Sequence, residues 1–259
     1  MHRPFRPQLA LALALVALAA HVQADTTLNA GVRLSHDSNV NGSPDTPNKN
    51  NQRSDTYLTT SASAVYFTPL DKERNSYFIG QVGARFSRYQ NYTNLNNSSL
   101  VASAGLYRQL SPEWSGQLTG RGFVRETRQT DRNANGYGAT LEIKRQLSDK
   151  VWLKGIVDYE DTSANLRTFS NSGTTYGLNL GYLPKKDRFI NLGASKSERD
   201  FKSVTPFSSK STVWFIDGTE KISKNWYLSL GYAYADNDSN FAGTAYTSHV
   251  VSAGLSFSY

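Results

Sequence analysis

The chain closes on Tyr246–Tyr259, YTSHVVSAGLSFSY. One parity of this stretch, Val251, Ala253, Leu255, Phe257 and Tyr259, is apolar and ends on an aromatic. The other, Val250, Ser252, Gly254, Ser256 and Ser258, is small and mostly polar. Successive side chains of a strand point to opposite faces, so this is a strand with one apolar and one wet face. Half-buried strands of this kind are common. Here the chain stops on one, and about eleven earlier segments repeat its alternation.

The alternation predicts strands over 26–37, 55–67, 76–89, 98–110, 114–128, 136–147, 151–163, 173–183, 188–200, 209–221, 225–236 and 246–259. In one of them Tyr137, Ala139, Leu141, Ile143 and Leu147 oppose Gly138, Thr140, Glu142, Lys144 and Gln146. In another, Trp226, Leu228, Leu230, Tyr232 and Tyr234 oppose Ser229, Gly231 and Ala233. Segments of about ten alternating residues match a tilted transmembrane strand. Connections alternate as well. Thr68–Asn75, 111–113, 148–150, 184–187 and 222–224 are short, whereas 38–54, 90–97, 129–135, 164–172, 201–208 and 237–245 are longer and rich in Asn, Ser, Thr and Gly. Barrels of outer membranes pair short periplasmic turns with longer outer loops. The fold class expected is all-β: a single up-and-down antiparallel transmembrane barrel of about twelve strands over 25–259. Trp114, Trp152 and Trp226 each open a strand just after a short turn, where a periplasmic-side aromatic girdle would lie with Tyr259. A soluble sandwich would leave these aromatics unexplained.

The first 24 residues read as an address. His2, Arg3 and Arg6 precede the apolar run Leu9–Ala20, and Val22-Gln23-Ala24 is a small-x-small cleavage site. That run is too short for a membrane-spanning helix, so residues 1–24 are expected to be a cleaved secretion signal. The chain has no cysteine, which excludes disulfides and thiolate metal sites. Its net charge of +7 is scattered and forms no basic patch for nucleic acid.

The wet parity should face the lumen. It carries Arg33, Arg85, Arg121, Arg125, Lys144 and Lys154, together with Glu142, Asp158, Glu160 and Asp217. Small residues such as Gly31, Gly83, Gly105, Gly181 and Gly231 would leave space between them. Eight-stranded barrels are filled by side chains and porins of sixteen or more strands hold open channels, so twelve strands suit a narrow water-filled pore. Rings of opposed charge would orient a polar solute, and their mixed signs leave ionic preference open. The alternative is that the charges pair across the lumen and close it. Expected partners are outer-membrane lipid, the barrel-assembly machinery at the C-terminal strand, and a polar solute or saccharide in the lumen. No residue pattern points to a metal or cofactor.

One constellation suggests chemistry. The first strand ends His36-Asp37-Ser38-Asn39, with His36 and Ser38 continuing the outward parity of Leu28, Ala30, Val32 and Leu34. The stretch resembles the H-x-S-N of outer-membrane phospholipase A, and lipid A deacylases use a comparable His and Ser. The resemblance implies a Ser38 nucleophile with His36 as base, acting on a lipid ester. His249, outward on the last strand, would lie nearby. The competing reading is a strand end whose polar side chains bond local backbone. A structural or adhesive barrel acting through its loops is a third alternative.

The run GVRLSHDSNVN (31–41), followed by RSDTYLTTSASAVYF (53–67), resembles the porin-like outer-membrane barrels encoded with exopolysaccharide and capsule systems. DNDSN (236–240) before the last strand is similar to the C-terminal barrel of surface lipoprotein assembly modifiers. The resemblance implies a barrel in the outer membrane of a Gram-negative cell; the function expected is a porin-like channel or export-accessory pore for a polar solute, with an oligo- or polysaccharide as one candidate cargo.

Overall fold

The structure, a computed structural model, describes residues 25–44, 49–203, 205–241 and 244–259. The expected signal at 1–24 lies outside them. Twelve strands form one closed antiparallel barrel in which each strand pairs with its sequence neighbours and β1 closes on β12. They are β1 (Asp25–Asp37), β2 (Asp55–Pro69), β3 (Ser76–Tyr89), β4 (Asn97–Gln109), β5 (Trp114–Thr127), β6 (Ala134–Ser148), β7 (Val151–Ala164), β8 (Asn171–Lys185), β9 (Arg188–Phe201), β10 (Phe207–Lys221), β11 (Trp226–Ser239) and β12 (Tyr246–Ser258). The largest shift from the expected spans is at the end of β11, which runs to Ser239 rather than 236. The seam between first and last strands runs from Asn29↔Ser258 to Asp37↔Val250. Beyond its lower end Leu28 and Tyr259 exchange reciprocal backbone hydrogen bonds of 2.9 Å.

The molecule is apolar outside and polar inside. Leu230, Tyr137, Val251, Trp214 and Leu34 are all more than half exposed on the outward parity. Among the described residues Ala134 is the one buried apolar side chain, while Ser35, Ser115, Ser248, Thr162 and Asp55 are buried on the inward side or at the rim. Such an exterior is stable against hydrocarbon, and closure leaves no strand edge whose backbone groups lack partners.

The two ends differ in construction. At the short-turn end, Leu110-Ser111-Pro112-Glu113-Trp114 and Ile222-Ser223-Lys224-Asn225-Trp226 fold alike. The N–H of Leu110 bonds Trp114 O at 2.8 Å, and that of Ile222 bonds Trp226 O at 2.9 Å. In the β2–β3 turn, Asp71 Oδ1 accepts the Asn75 N–H at 2.7 Å. The Ser76 hydroxyl, helped by the Asn75 and Ser76 N–H groups, holds the Asp71 carboxyl below its ordinary value. The turn is therefore tightest at neutral pH and loosens as pH falls through that lowered value.

At the long-loop end, single 3-10 turns at Thr93–Leu95, Thr130–Arg132 and Arg167–Phe169 repeat one design. In each, a following side-chain oxygen (Asn96, Asn133 or Ser170) takes the N–H of the strand's last residue (Tyr89, Thr127 or Ala164, respectively). Backbone bonds Arg128 N→Asn96 O, Asn165 N→Asn133 O and Lys202 N→Ser170 O then link neighbouring tips into a continuous rim.

Leu141 faces outward and is 46% exposed, while Gln81 lines the lumen. A cation facing mid-membrane hydrocarbon costs about 2–4 kcal/mol, so Leu141→Arg should lower folded yield in lipid vesicles far more than Gln81→Arg. The yields can be read from heat-modifiable gel mobility, and equal yields would show the two faces to be misassigned.

Candidate functional site: the lumen

The inward parity lines a chain of cavities. The largest, about 840 Å³, lies in the long-loop half and is bordered by Arg33, Arg85, Arg121, Arg125 and Glu160. A second, about 480 Å³, continues it toward mid-barrel and shares Arg85 and Arg121. A third, about 360 Å³, sits in the short-turn half among Glu142, Lys144, Lys154, Trp152, Phe189, Asn179 and Asn191. Asp158 reaches inward to Arg121, and Asp217 accepts a hydrogen bond from Asn191 Nδ2 at 3.1 Å.

These charges do not cross-link the lumen. Arg121 lies along the wall, its guanidinium on Asp158 at 2.5 and 3.0 Å and on Glu160 at 2.8 Å. Thr140 Oγ1 donates to the same Asp158 oxygen at 2.5 Å. Lys154 pairs with Glu142 of the adjacent strand at 3.2 Å. Among the described residues the Arg33 side chain hydrogen-bonds Ser252 Oγ alone, at 3.3 Å. Among the described residues Arg33, Arg85, Arg125 and Lys144 make no ion pair, nor does Arg199, an inward residue opposite Gly173. The upper cavity is therefore basic, with four arginines against Glu160 and with Asp158 already held by Arg121.

Glycine keeps the bore open, by a different route from the one the sequence suggests. Gly31 and Gly83 do border open space. Others are covered by a large side chain from the next strand, which lies flat because no Cβ lifts it. A Cβ on Gly138 would meet Arg121 Cζ at 2.7 Å, and one on Gly136 would meet Phe123 Cζ at 2.5 Å. One on Gly181 would run into the Trp152 indole, and one on Gly193 into the Phe215 ring.

Trp152 corrects an expectation. Trp114 and Trp226 face outward, 39% and 43% exposed, as does Tyr259 at 77%. Trp152 lines the lumen instead, parallel to Phe189 at 5.1 Å between ring centroids, with Lys144 Nζ 4.6 Å from its ring. In the two L/I-S-x-x-W turns the tryptophan is the first strand residue. In Leu147-Ser148-Asp149-Lys150-Val151-Trp152 the valine takes that place and the tryptophan moves to the inward parity. A register shift between Gln146 and Ser148 accompanies the change.

His36 and Ser38 are not joined. His36 Nδ1 bonds Thr56 Oγ1 at 3.0 Å, and Ser38 Oγ accepts the backbone N–H of His249 at 2.9 Å. The His249 ring itself turns to the Tyr232 hydroxyl at 2.8 Å. The nucleophile–base hydrogen bond that acyl transfer requires is thus replaced by contacts that tie β1 to β2 and β12. Among the described residues no three acidic or histidine side chains are placed to hold a metal ion.

The sequence reading passed over several lumenal groups: the stacked pair Tyr57 and Tyr89, with centroids 4.7 Å apart, and Phe123, Arg199 and Phe189. Tyr89 shares parity with Arg85, four residues earlier, and Phe123 with Arg121 and Arg125. Counting from the arginines would have found them.

No protein-family model and no curated protein matches this sequence. Solved structures match its fold. An outer-membrane channel from Pseudomonas putida F1 superposes with a TM-score of 0.61 at 9% identity, over 92% of this chain and 97% of that one. The KdgM porin in complex with disordered oligogalacturonate gives 0.52 at 11% identity, over 89% and 99%. The TodX monoaromatic hydrocarbon channel, as its deltaS2 mutant, gives 0.50 at 10% identity, over 92% and 90%. The chain thus has the closed porin-type barrel fold of outer-membrane channels.

Gly181→Ala should destabilise the barrel by about 1–3 kcal/mol, since overpacking must displace Trp152. Gly120→Ala, where nothing lies within 4 Å of the added carbon, should be neutral or slightly stabilising. Urea midpoints in detergent or vesicles check the contrast.

Proposed function

We propose that this protein is a porin-like channel of the bacterial outer membrane that passes polar anionic solutes, carboxylated oligosaccharides foremost. Its short turns face the periplasm and its stapled loops face outward. Residues 1–24 direct export, outer-membrane lipid surrounds the apolar belt, and the C-terminal strand engages the assembly machinery. The observation that carries the reading is the 840 Å³ upper cavity, where Arg33, Arg85 and Arg125 stand without ion pairs beside the Tyr57, Tyr89 and Phe123 rings. Positive side chains around a narrow polar bore raise the local concentration of anions. Aromatic rings beside them offer flat apolar surface to sugar C–H faces.

The fold neighbours support a channel and leave its cargo open, since they include both a porin holding oligogalacturonate and a hydrocarbon channel. The bore's chemistry favours the former kind of cargo.

In planar bilayers under a salt gradient, the purified protein should conduct and its reversal potential should show anion preference. Arg33→Glu with Arg85→Glu should weaken or reverse that preference. A silent bilayer, or a cation-preferring wild type, would overturn the reading.

A further inference from the structure

The short-turn cavity has chemistry of its own. Lys144 and Lys154 stand directly opposite each other on β6 and β7. Like charges in that relation are destabilising. Glu142 pairs with Lys154, which leaves the pair of ammonium groups with one carboxylate and Lys144 with none. Lys144 rests instead on Trp152, which forms a slab with Phe189, their planes 5° apart. Around the slab stand side-chain amides. The Asn179 side chain makes no hydrogen bond among the described residues, and the side chains of Gln117 and Asn191 each use only an NH2 group, leaving their amide oxygens to accept. An incoming carboxylate would relieve the lysine repulsion, hydroxyl groups would meet the amides and Glu142, and a ring's C–H edge would meet the aromatic slab. Ligand cavities run from about 300 to 1,000 Å³, and 360 Å³ lies at the single-ring end of that range.

We propose that this chamber is a binding subsite for one sugar ring bearing a carboxylate, separate from the arginine-lined cavity above it. The proposal rests on the channel reading, because solute must reach the chamber through the bore. It is tested by equilibrium binding rather than by conductance, so that silence in bilayers and absence of the subsite are distinct results.

Folded protein in detergent is titrated calorimetrically with D-glucuronate, D-glucose and acetate. Glucuronate should bind at least about tenfold more tightly than either of the others, because each supplies only part of its contacts. Lys144→Gln and Trp152→Leu should each weaken glucuronate by about tenfold or more. Lys72→Gln, at an exposed lysine of the β2–β3 turn outside both cavities, should leave this affinity unchanged. If Trp152→Leu fails to fold, Lys144→Gln decides alone, since it preserves side-chain length. Unchanged affinity in Lys144→Gln, acetate binding as tightly as glucuronate, or an equal loss of binding in Lys72→Gln would each overturn the proposal.

Discussion

Closure of β1 on β12 is the constraint on which the rest depends. A strand edge facing hydrocarbon strands a row of N–H and C=O groups without partners, and each costs several kcal/mol. The first and last strands therefore pair, and Tyr259 returns to Leu28 through two backbone bonds at the foot of the seam. Once the cylinder is closed, the alternation of side chains has one outcome. Each outward residue joins the apolar exterior and each inward residue meets the bore, so the sequence of every strand is two interleaved messages.

The inward message sets the bore. Twelve strands enclose more space than their side chains fill, but Arg121, Phe123, Trp152 and Phe215 are long enough to obstruct it if they stood upright. Each lies instead across a glycine on the next strand. The arginine also finds Asp158 and Glu160 along the wall rather than across the lumen. Salt bridges and aromatic rings that could have plugged the barrel thus become its lining.

Strand number and spans were legible because a period of two is visible within ten residues and needs no knowledge of neighbours. The inward position of the ten charges followed from the same count. What the count misses lies between strands. Trp152 shares a turn sequence with Trp114 and Trp226 but is displaced by one residue, and one residue reverses a side chain in a sheet. Gly181 looks like empty space until the register sets it beside Trp152, 29 residues away in sequence. His36 and Ser38 look like a couple because they are close in sequence, yet each bonds to a different neighbouring strand. The three 3-10 rim turns were missed for a similar reason. Their Asn and Ser caps read as generic loop polarity, and their role appears only when the next loop's backbone docks on them.

The bore is divided in height by chemistry. Above the Arg121–Asp158–Glu160 cluster the wall is arginine and tyrosine, with little opposing charge. Below it lysine, glutamate and amides surround a tryptophan slab. An anion arriving at the upper cavity meets guanidinium groups that bind oxygens broadly, in a space too large to hold one ring tightly. In the smaller chamber a carboxylate, hydroxyls and a C–H face can be met together. On the proposed function, that order, loose capture above and closer fit below, would serve a conduit for linked acidic units, in which each site must be attractive enough to fill and weak enough to empty into the next.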